Sequence, residues 1–423
     1  MERFVIEGPV QLTGRVRAGG SKNTALPLLC AALLAPGESR LRNVPRLRDI
    51  RTMVRVLETL GARCTHDGHE LAIDATEIPG REAPYELVKT MRASVYVLGP
   101  LLARFGEARV SLPGGCAWGP RPVDLHLMGM ERLGARVDLE HGYIHASVPA
   151  GERLKGDEIT FKVSSVGATA NVMMAAVLAR GRTVLHNAAR EPDVVALAEG
   201  LIAMGARIQG HGTGTITIDG VDALAPLAMS VPSDRIEVGT FLAAAPITRG
   251  KVRVEGCVPR EQRALLAMLR EGGLPIEQGD DWIEVDATAT RLRALEVITA
   301  PYPGFATDMQ AQIMAACALA DGVSTITETI YVDRFTHVAE LRRLGAQIRL
   351  DGNVAVVRGV DRLSAAPVMA TDLRASAALI LAACGAEGAT TLSRIYHIDR
   401  GYERIEEKLA ALGARIRRED EPA

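Results

Sequence analysis

Six short polar clusters interrupt a chain otherwise rich in aliphatic residues: Ser21-Lys22-Asn23, Thr90-Met91-Arg92, Ser164-Ser165-Val166-Gly167, Ser233-Asp234-Arg235, Thr307-Asp308-Met309-Gln310 and Thr371-Asp372-Leu373-Arg374. Each stands just ahead of an apolar, helix-forming run. The first turn of a helix exposes amides without partners, and its dipole favours negative charge, so a Lys or Arg placed there deepens the attraction for an anion. A single Ser or Asp at such a position is ordinary capping. Six together, several with a cation, predict sites that hold phosphate or carboxylate groups.

A different chemistry is offered by Leu112-Pro-Gly-Gly-Cys-Ala-Trp-Gly-Pro-Arg-Pro-Val-Asp124, where glycines and prolines surround Cys116 and make a loop. A neighbouring Arg121 or Lys22 would lower the thiol pKa from its reference of about 8.5, making Cys116 a usable acid or nucleophile near neutrality. Cys30, Cys317 and Cys384 lie in Ala- and Leu-rich helical runs and are expected to be inert packing residues. The six cysteines form no CxxC pair, and no HExxH or Walker-type phosphate loop is present. No metal is expected, so the cations must be side chains.

The elements that position these residues follow from composition and repetition. Hydrophobic residues make up 48% of the 423, enough for large cores in two to three domains. The 49 Lys and Arg nearly cancel the 51 Asp and Glu, which argues against a basic nucleic-acid surface or a polybasic membrane segment, so any anion site is local. The apolar run from Ala25 to Ala35 is too short to span a bilayer. Glu2 and Glu7, with no basic-then-apolar pattern, do not read as a secretory signal, and a cytoplasmic location is expected.

Glycines at 61, 134, 205, 272, 345 and 413 stand at the start of similar segments, such as LGARCTHDGHELAI and LGAQIRLDGNVAVV, at spacings of 73, 71, 67, 73 and 68 residues. A second set, Gly37, Gly106, Gly181, Gly250, Gly322 and Gly388, follows the Ala-rich runs. Both markers divide the chain into six units of one kind. In each, an all-apolar helix is followed by a Gly turn and a strand, then by an amphipathic helix and a hairpin. The last unit lacks its second hairpin strand, whereas Arg3 to Glu7 is a spare strand at the N-terminus. Pairing the two gives an α/β (α+β) protein of two globules with three units each: residues 1–21 with 230–423, and residues 22–229, which carry the Cys116 loop. The helix entrances are then expected to face a cleft that binds anionic groups.

Taken in order, several motifs are similar to those of the enolpyruvyl transferases: Ser21-Lys-Asn23, Lys89-Thr-Met-Arg-Ala-Ser94, Pro113-Gly-Gly-Cys116, Arg121-Pro-Val-Asp-Leu125, Ala188-Ala-Arg-Glu-Pro192, Asp234-Arg-Ile-Glu237, Thr307-Asp-Met-Gln-Ala-Gln312, Ala370-Thr-Asp-Leu-Arg-Ala-Ser376 and Tyr396-His-Ile-Asp-Arg-Gly-Tyr-Glu-Arg404. The resemblance spans essentially the whole chain. It implies two globules, each of three βαβαββ units around buried helices, in an inside-out α/β barrel. Within the family it points to the branch that transfers the enolpyruvyl group of phosphoenolpyruvate to the 3′-hydroxyl of UDP-N-acetylglucosamine, the first committed step of peptidoglycan synthesis, without a cofactor. A 5-enolpyruvylshikimate-3-phosphate synthase-like transferase and a UDP-sugar-binding regulatory paralogue are the alternatives.

Carried over residue by residue, the resemblance gives Lys22, Arg121 and Arg400 to the phosphate of phosphoenolpyruvate, and Arg334 and Arg374 to its carboxylate. Asn23, Arg92, Arg121, Pro122, Val123, Asp124, Leu125, Ser165, Val166, Gly167, Asp308 and Ile330 would line the nucleotide-sugar site. Cys116 would give a proton to the methylene carbon, Asp308 would receive the 3′-hydroxyl proton, and Asp372 is a further acid-base candidate. Nucleic acid and membrane are not among the implied partners.

Overall fold

The computed structural model describes residues 2–89, 91–112 and 123–420. These residues form two compact units, residues 1–19 with 233–423 and residues 20–232, so the chain passes between them at Gly19–Gly20 and again at Pro232–Ser233. At the crossings, Ser21 donates its amide to the Pro232 carbonyl (2.7 Å) in one unit and Asp234 donates to Gly19 (2.8 Å) in the other.

Each unit has its own core, and the centre of each is made of helices. In residues 20–232 these are Lys22–Ala31, Leu98–Phe105 and Val166–Ala176. In the other unit they are Arg235–Thr248, Gln310–Cys317 and Leu373–Gly385. Their sequences are largely apolar, with no continuous polar stripe, and burial follows: every residue of Arg235–Thr248 after Arg235 is buried, as is the whole of Gln310–Cys317. A helix with no polar stripe is stable in water only when it is surrounded.

The described strands form six sheets that share one plan. A short edge strand runs parallel to the strand after the buried helix, and an antiparallel hairpin completes the sheet, as in Glu158–Thr160, Arg182–His186, Thr215–Asp219 and Arg207–Gln209. In two places the chain termini of a unit close it. Ala228–Ser230 supplies the parallel edge for Glu38–Arg42, and Thr13–Arg17 does the same for Lys251–Glu255. The N-terminal strand Glu2–Gly8 takes the place of the hairpin strand missing from the last repeat, with Phe4 opposite Leu392 on one side and Arg418 on the other.

The amphipathic helices lie outside this centre. Arg48–Leu60 buries Ile50, Met53, Val56, Leu57 and Leu60, and ends at Gly61 in the left-handed conformation (φ 108°), a conformation that costs glycine nothing. Two expectations shift by one residue. In the fourth repeat the left-handed glycine is Gly273 (φ 91°) while Gly272 stays helical, and after the fourth buried helix Arg249 adopts φ 53°. Gly250 is needed there for closeness instead: a Cβ would lie 1.9 Å from the Leu12 carbonyl oxygen. The second repeat also departs, starting its buried helix with a 3-10 segment, Arg92–Val97.

Candidate functional site

In the unit of residues 20–232, Lys22 opens its helix with Ser21 as cap, the Ser21 hydroxyl accepting from the Thr24 amide at 3.2 Å. The Lys22 ammonium is buried and lies 3.1 Å from Asp49 Oδ2, so its charge is fixed in place by a carboxylate on the neighbouring amphipathic helix. Asp193 holds the same entrance from another side, accepting from the hydroxyls of Ser21 (3.0 Å) and Thr24 (2.6 Å). Asn23 is half-buried beside Lys22.

A second group gathers around Val166–Ala176. Ser165 caps this helix by accepting from the Ala168 amide (3.3 Å), and Ser165, Val166 and Gly167 are half-buried. The helix Asp124–Arg132 packs against it, with Val123 buried at its start, Asp124 exposed and Leu125 half-buried. His126, on that helix, is buried and reaches the Gly167 backbone: a Cβ on Gly167 would meet its Nε2 at 3.0 Å. The Asn171 side chain accepts from the Gly99 amide (2.8 Å) and donates to the Val95 carbonyl (2.9 Å), which leaves its remaining N–H for His126 Nδ1 at 3.1 Å. His126 Nδ1 is therefore the acceptor, and Nε2 carries the proton. Burial, aided by the charge of Arg92, pushes the imidazole pKa down to about 3, so the ring is neutral.

In the other unit the predicted residues meet directly. Asp308, in the 3-10 turn Thr307–Met309, lies between two guanidiniums: Arg334 Nη1 is 2.8 Å from Oδ1, and Arg374 Nε is 3.2 Å from Oδ2. Arg334 and Arg374 are themselves buried. Burial works to raise the Asp308 pKa, but the two arginines outweigh it and hold the carboxyl far below the usual carboxylate range. Burial likewise works against the charge of Arg334, which Asp308 and Asp372 restore. Arg374 also lies over the ring of Tyr402, 5.3 Å from its centroid, and the Tyr402 hydroxyl is 2.8 Å from Thr240 Oγ1.

Asp372 caps Leu373–Gly385, its Oδ1 accepting from the amides of Arg374 (2.8 Å) and Ala375 (3.1 Å). One oxygen of this acid-base candidate is thus committed to the helix start. Arg400 ends a 3-10 segment, Ile395–Arg400, that packs on the same helix, and Ile330 is exposed on the loop leading to Arg334. Beside Asp308, a cavity of about 60 Å³ is lined by Arg235, Arg260, Tyr302, Phe305 and Met309, and the charge of Arg235 adds to those that hold Asp308 ionised. Cys116, Arg121 and Pro122 lie outside the described residues. Among the described thiols, burial pushes Cys317 up to about 11 and Cys384 up to about 12, and raises Cys30 further still. Among the described residues there is no cluster of metal-ligating side chains, and no helix is long and apolar enough to cross a membrane.

Residues 6–409 match the family described as EPSP synthase (3-phosphoshikimate 1-carboxyvinyltransferase). The chain belongs to this family of enolpyruvyl transferases. It is 54% identical over 419 residues, 99% of both chains, to the UDP-N-acetylglucosamine 1-carboxyvinyltransferase of Cellvibrio japonicus. The protein of that name from Anaeromyxobacter sp. is 55% identical over 422 residues, 99% of this chain and 100% of its own. Among solved structures, the enolpyruvyl transferase NikO of Streptomyces tendae superposes with a TM-score of 0.87 at 27% identity, covering 100% of this chain and 99% of its own. The EPSP synthase of Acinetobacter baumannii shares the fold, with a TM-score of 0.75 at 17% identity over 99% of this chain and 100% of its own.

Against this family background, several polar residues of the two clusters were not among the sequence-derived candidates. Asp49, Asp193, Glu328, His126 and Asn171 each fix a candidate residue or its helix entrance. Asn171 and Gln312 had a signal that could have drawn attention: each is a polar residue inside an otherwise apolar helix, where a side chain must find partners in the protein.

Proposed function

We propose that the chain transfers the enolpyruvyl group of phosphoenolpyruvate to the 3′-hydroxyl of UDP-N-acetylglucosamine and releases phosphate, by addition and elimination through a tetrahedral ketal. It would do so in the cytoplasm, as the first committed step of peptidoglycan synthesis, using side chains alone. Identity above one half, over nearly the full length of relatives named for this activity, carries the choice of acceptor. The pairing of Asp308 with Arg334 and Arg374 supports the chemistry.

In this reading Cys116 protonates C3 of phosphoenolpyruvate, and the oxocarbenium-like centre formed at C2 is attacked by the sugar hydroxyl. Returning the proton expels phosphate. Lys22, Arg121 and Arg400 hold that phosphate, while Arg334 and Arg374 take the carboxylate. Fixed cations of this kind are worth most where charge builds up in the transition state. Asn23, Arg92, Pro122, Val123, Asp124, Leu125, Ser165, Val166, Gly167 and Ile330 line the nucleotide-sugar site.

Asp308 receives the hydroxyl proton, and its partners give that role a condition. Held by two guanidiniums it is a weak base. A substrate carboxylate that draws Arg374 and Arg334 toward itself loosens both pairs and raises the proton affinity of Asp308. Binding of phosphoenolpyruvate thereby prepares the base. The test is phosphate release from phosphoenolpyruvate with UDP-N-acetylglucosamine or with shikimate 3-phosphate as acceptor. Release with the UDP-sugar alone is expected. Release with shikimate 3-phosphate favours a synthase-like transferase, and binding of the UDP-sugar without release favours a regulatory paralogue.

A further inference from the structure

Glu328, at the end of the strand Val323–Thr327, is completely buried. Its backbone is anchored in the sheet, where its amide donates to the Asn353 carbonyl (2.9 Å) and its carbonyl accepts from Asn353 Nδ2 (3.0 Å). Its carboxylate accepts four hydrogen bonds. Oε1 takes the Thr299 hydroxyl (2.8 Å) and the amides of Ile330 (2.8 Å) and Tyr331 (3.0 Å), and Oε2 takes the Thr307 hydroxyl (2.9 Å). All four donors are neutral.

A carboxylate buried among neutral donors is a demanding way to hold a loop, because removing a charge from water is unfavourable unless every lone pair is well used. Its second oxygen explains the need. Thr307 has one hydroxyl hydrogen, and giving it to Glu328 turns the oxygen lone pairs toward Arg334 Nη1, which donates to Thr307 Oγ1 at 2.9 Å. The same nitrogen reaches Asp308 Oδ1 at 2.8 Å. Arg334 Nη1 is thus steered by two acceptors, one of which Glu328 orients. Through its other oxygen Glu328 sets the start of the Ile330 loop, which continues to Arg334.

We propose that Glu328 is a positioning residue for the reaction, acting through the Thr307 hydroxyl on Arg334 and Asp308. This rests on the reading of those two residues as part of the reacting centre. A neutral amide at position 328 would present an N–H to Thr307, reverse the polarity of that contact, and free the hydroxyl hydrogen to point at the guanidinium. Displacement of a reacting group by about 1 Å is enough to lower rates about a hundredfold.

The experiment measures kcat and KM for both substrates, and calorimetric affinity for UDP-N-acetylglucosamine, in the wild type, Glu328→Gln, Thr307→Val, Thr307→Ser and the double variant Glu328→Gln/Thr307→Val. Glu328→Gln is expected to lower kcat/KM at least about tenfold while leaving the cooperative thermal melt in place, and Thr307→Val is expected to do likewise. Thr307→Ser, which keeps the hydroxyl, should retain most of the activity. The double variant should be no worse than the poorer single one, because both changes break the same relay. Near-normal turnover in Glu328→Gln, equal loss in Thr307→Ser and Thr307→Val, or additive losses would each overturn the proposal. If Glu328→Gln fails to fold, the two Thr307 variants decide the matter. A wild type that binds the UDP-sugar but releases no phosphate contradicts the reaction instead, and the affinities of the variants then score the positioning role.

Discussion

Arg374 shows how much of the site depends on the shape of a cation as well as its charge. Its Nε faces Asp308 while its plane lies over Tyr402, an arrangement that a planar guanidinium can satisfy and an ammonium cannot. Arg374→Lys is expected to keep the fold and lose roughly 2 kcal/mol of transition-state stabilisation, read as a fall in kcat/KM for phosphoenolpyruvate. Unchanged kcat/KM would separate Arg374 from the substrate. Cysteine chemistry gives a second test at this scale. Since burial raises the thiol pKa of Cys30, Cys317 and Cys384, an epoxide carrying a phosphonate should alkylate Cys116 alone. Peptide mapping by mass spectrometry, with and without UDP-N-acetylglucosamine, locates the adduct, and modification of another cysteine would contradict the assignment. Residue types at the helix entrances were legible in the sequence because capping and charge leave local patterns. That Arg334, 26 residues after Asp308, closes on it was not readable from spacing. Asp49 and Glu328 looked like ordinary members of a helix and a strand end, since nothing local reveals which carboxylates will be buried.

Helix ends and turns are where the repeat is written most clearly, and each end can be tested. Asp234 caps Arg235–Thr248 by accepting from the amides of Ile236 (2.8 Å) and Glu237 (3.1 Å). Asp234→Ala should lower stability by about 1 kcal/mol, measured by denaturant unfolding, and an unchanged midpoint would show that the cap is dispensable. The periodic glycines and the apolar helices revealed the α/β repeat because backbone conformation and burial each restrict residue type. The one-residue differences at Gly273 and Arg249 arise where two conformations satisfy the same turn. Arg249 can take the left-handed state because the next residue, Gly250, supplies the close approach to Leu12. Sequence periodicity marks the turn without distinguishing these two demands. The 3-10 opening at Arg92–Val97 escaped for a similar reason, since its side chains suit either helix.

Across the molecule, each unit contains a histidine kept neutral by its surroundings. Burial lowers His126 to about 3, with Arg92 assisting, and lowers His337 to about 3, with Arg334 assisting. A histidine whose folded pKa is depressed stabilises the fold fully above its unfolded value. That contribution is lost as pH falls from about 6.5 toward 3, because the unfolded chain binds the proton first. Each histidine should therefore remove up to about 1.4 kcal/mol per pH unit in that window. Urea unfolding at pH 7 and pH 5 is expected to show a smaller pH dependence for His337→Gln than for the wild type, and identical dependence would contradict the account. The closing of the last repeat by strand Glu2–Gly8 also belongs to this scale, and it was legible only because one hairpin lacked a strand while another strand had no partner.

The proposed reaction itself is tested most directly by the structure of its product. Phosphoenolpyruvate labelled with carbon-13 at C2 is incubated with UDP-N-acetylglucosamine and the protein, and the mixture is followed by NMR. A long-range coupling between the labelled carbon and the proton on C3′ of the sugar, appearing together with one equivalent of inorganic phosphate, is the predicted result. Phosphate released without that vinyl ether, or an enolpyruvyl group attached at another oxygen, would contradict it.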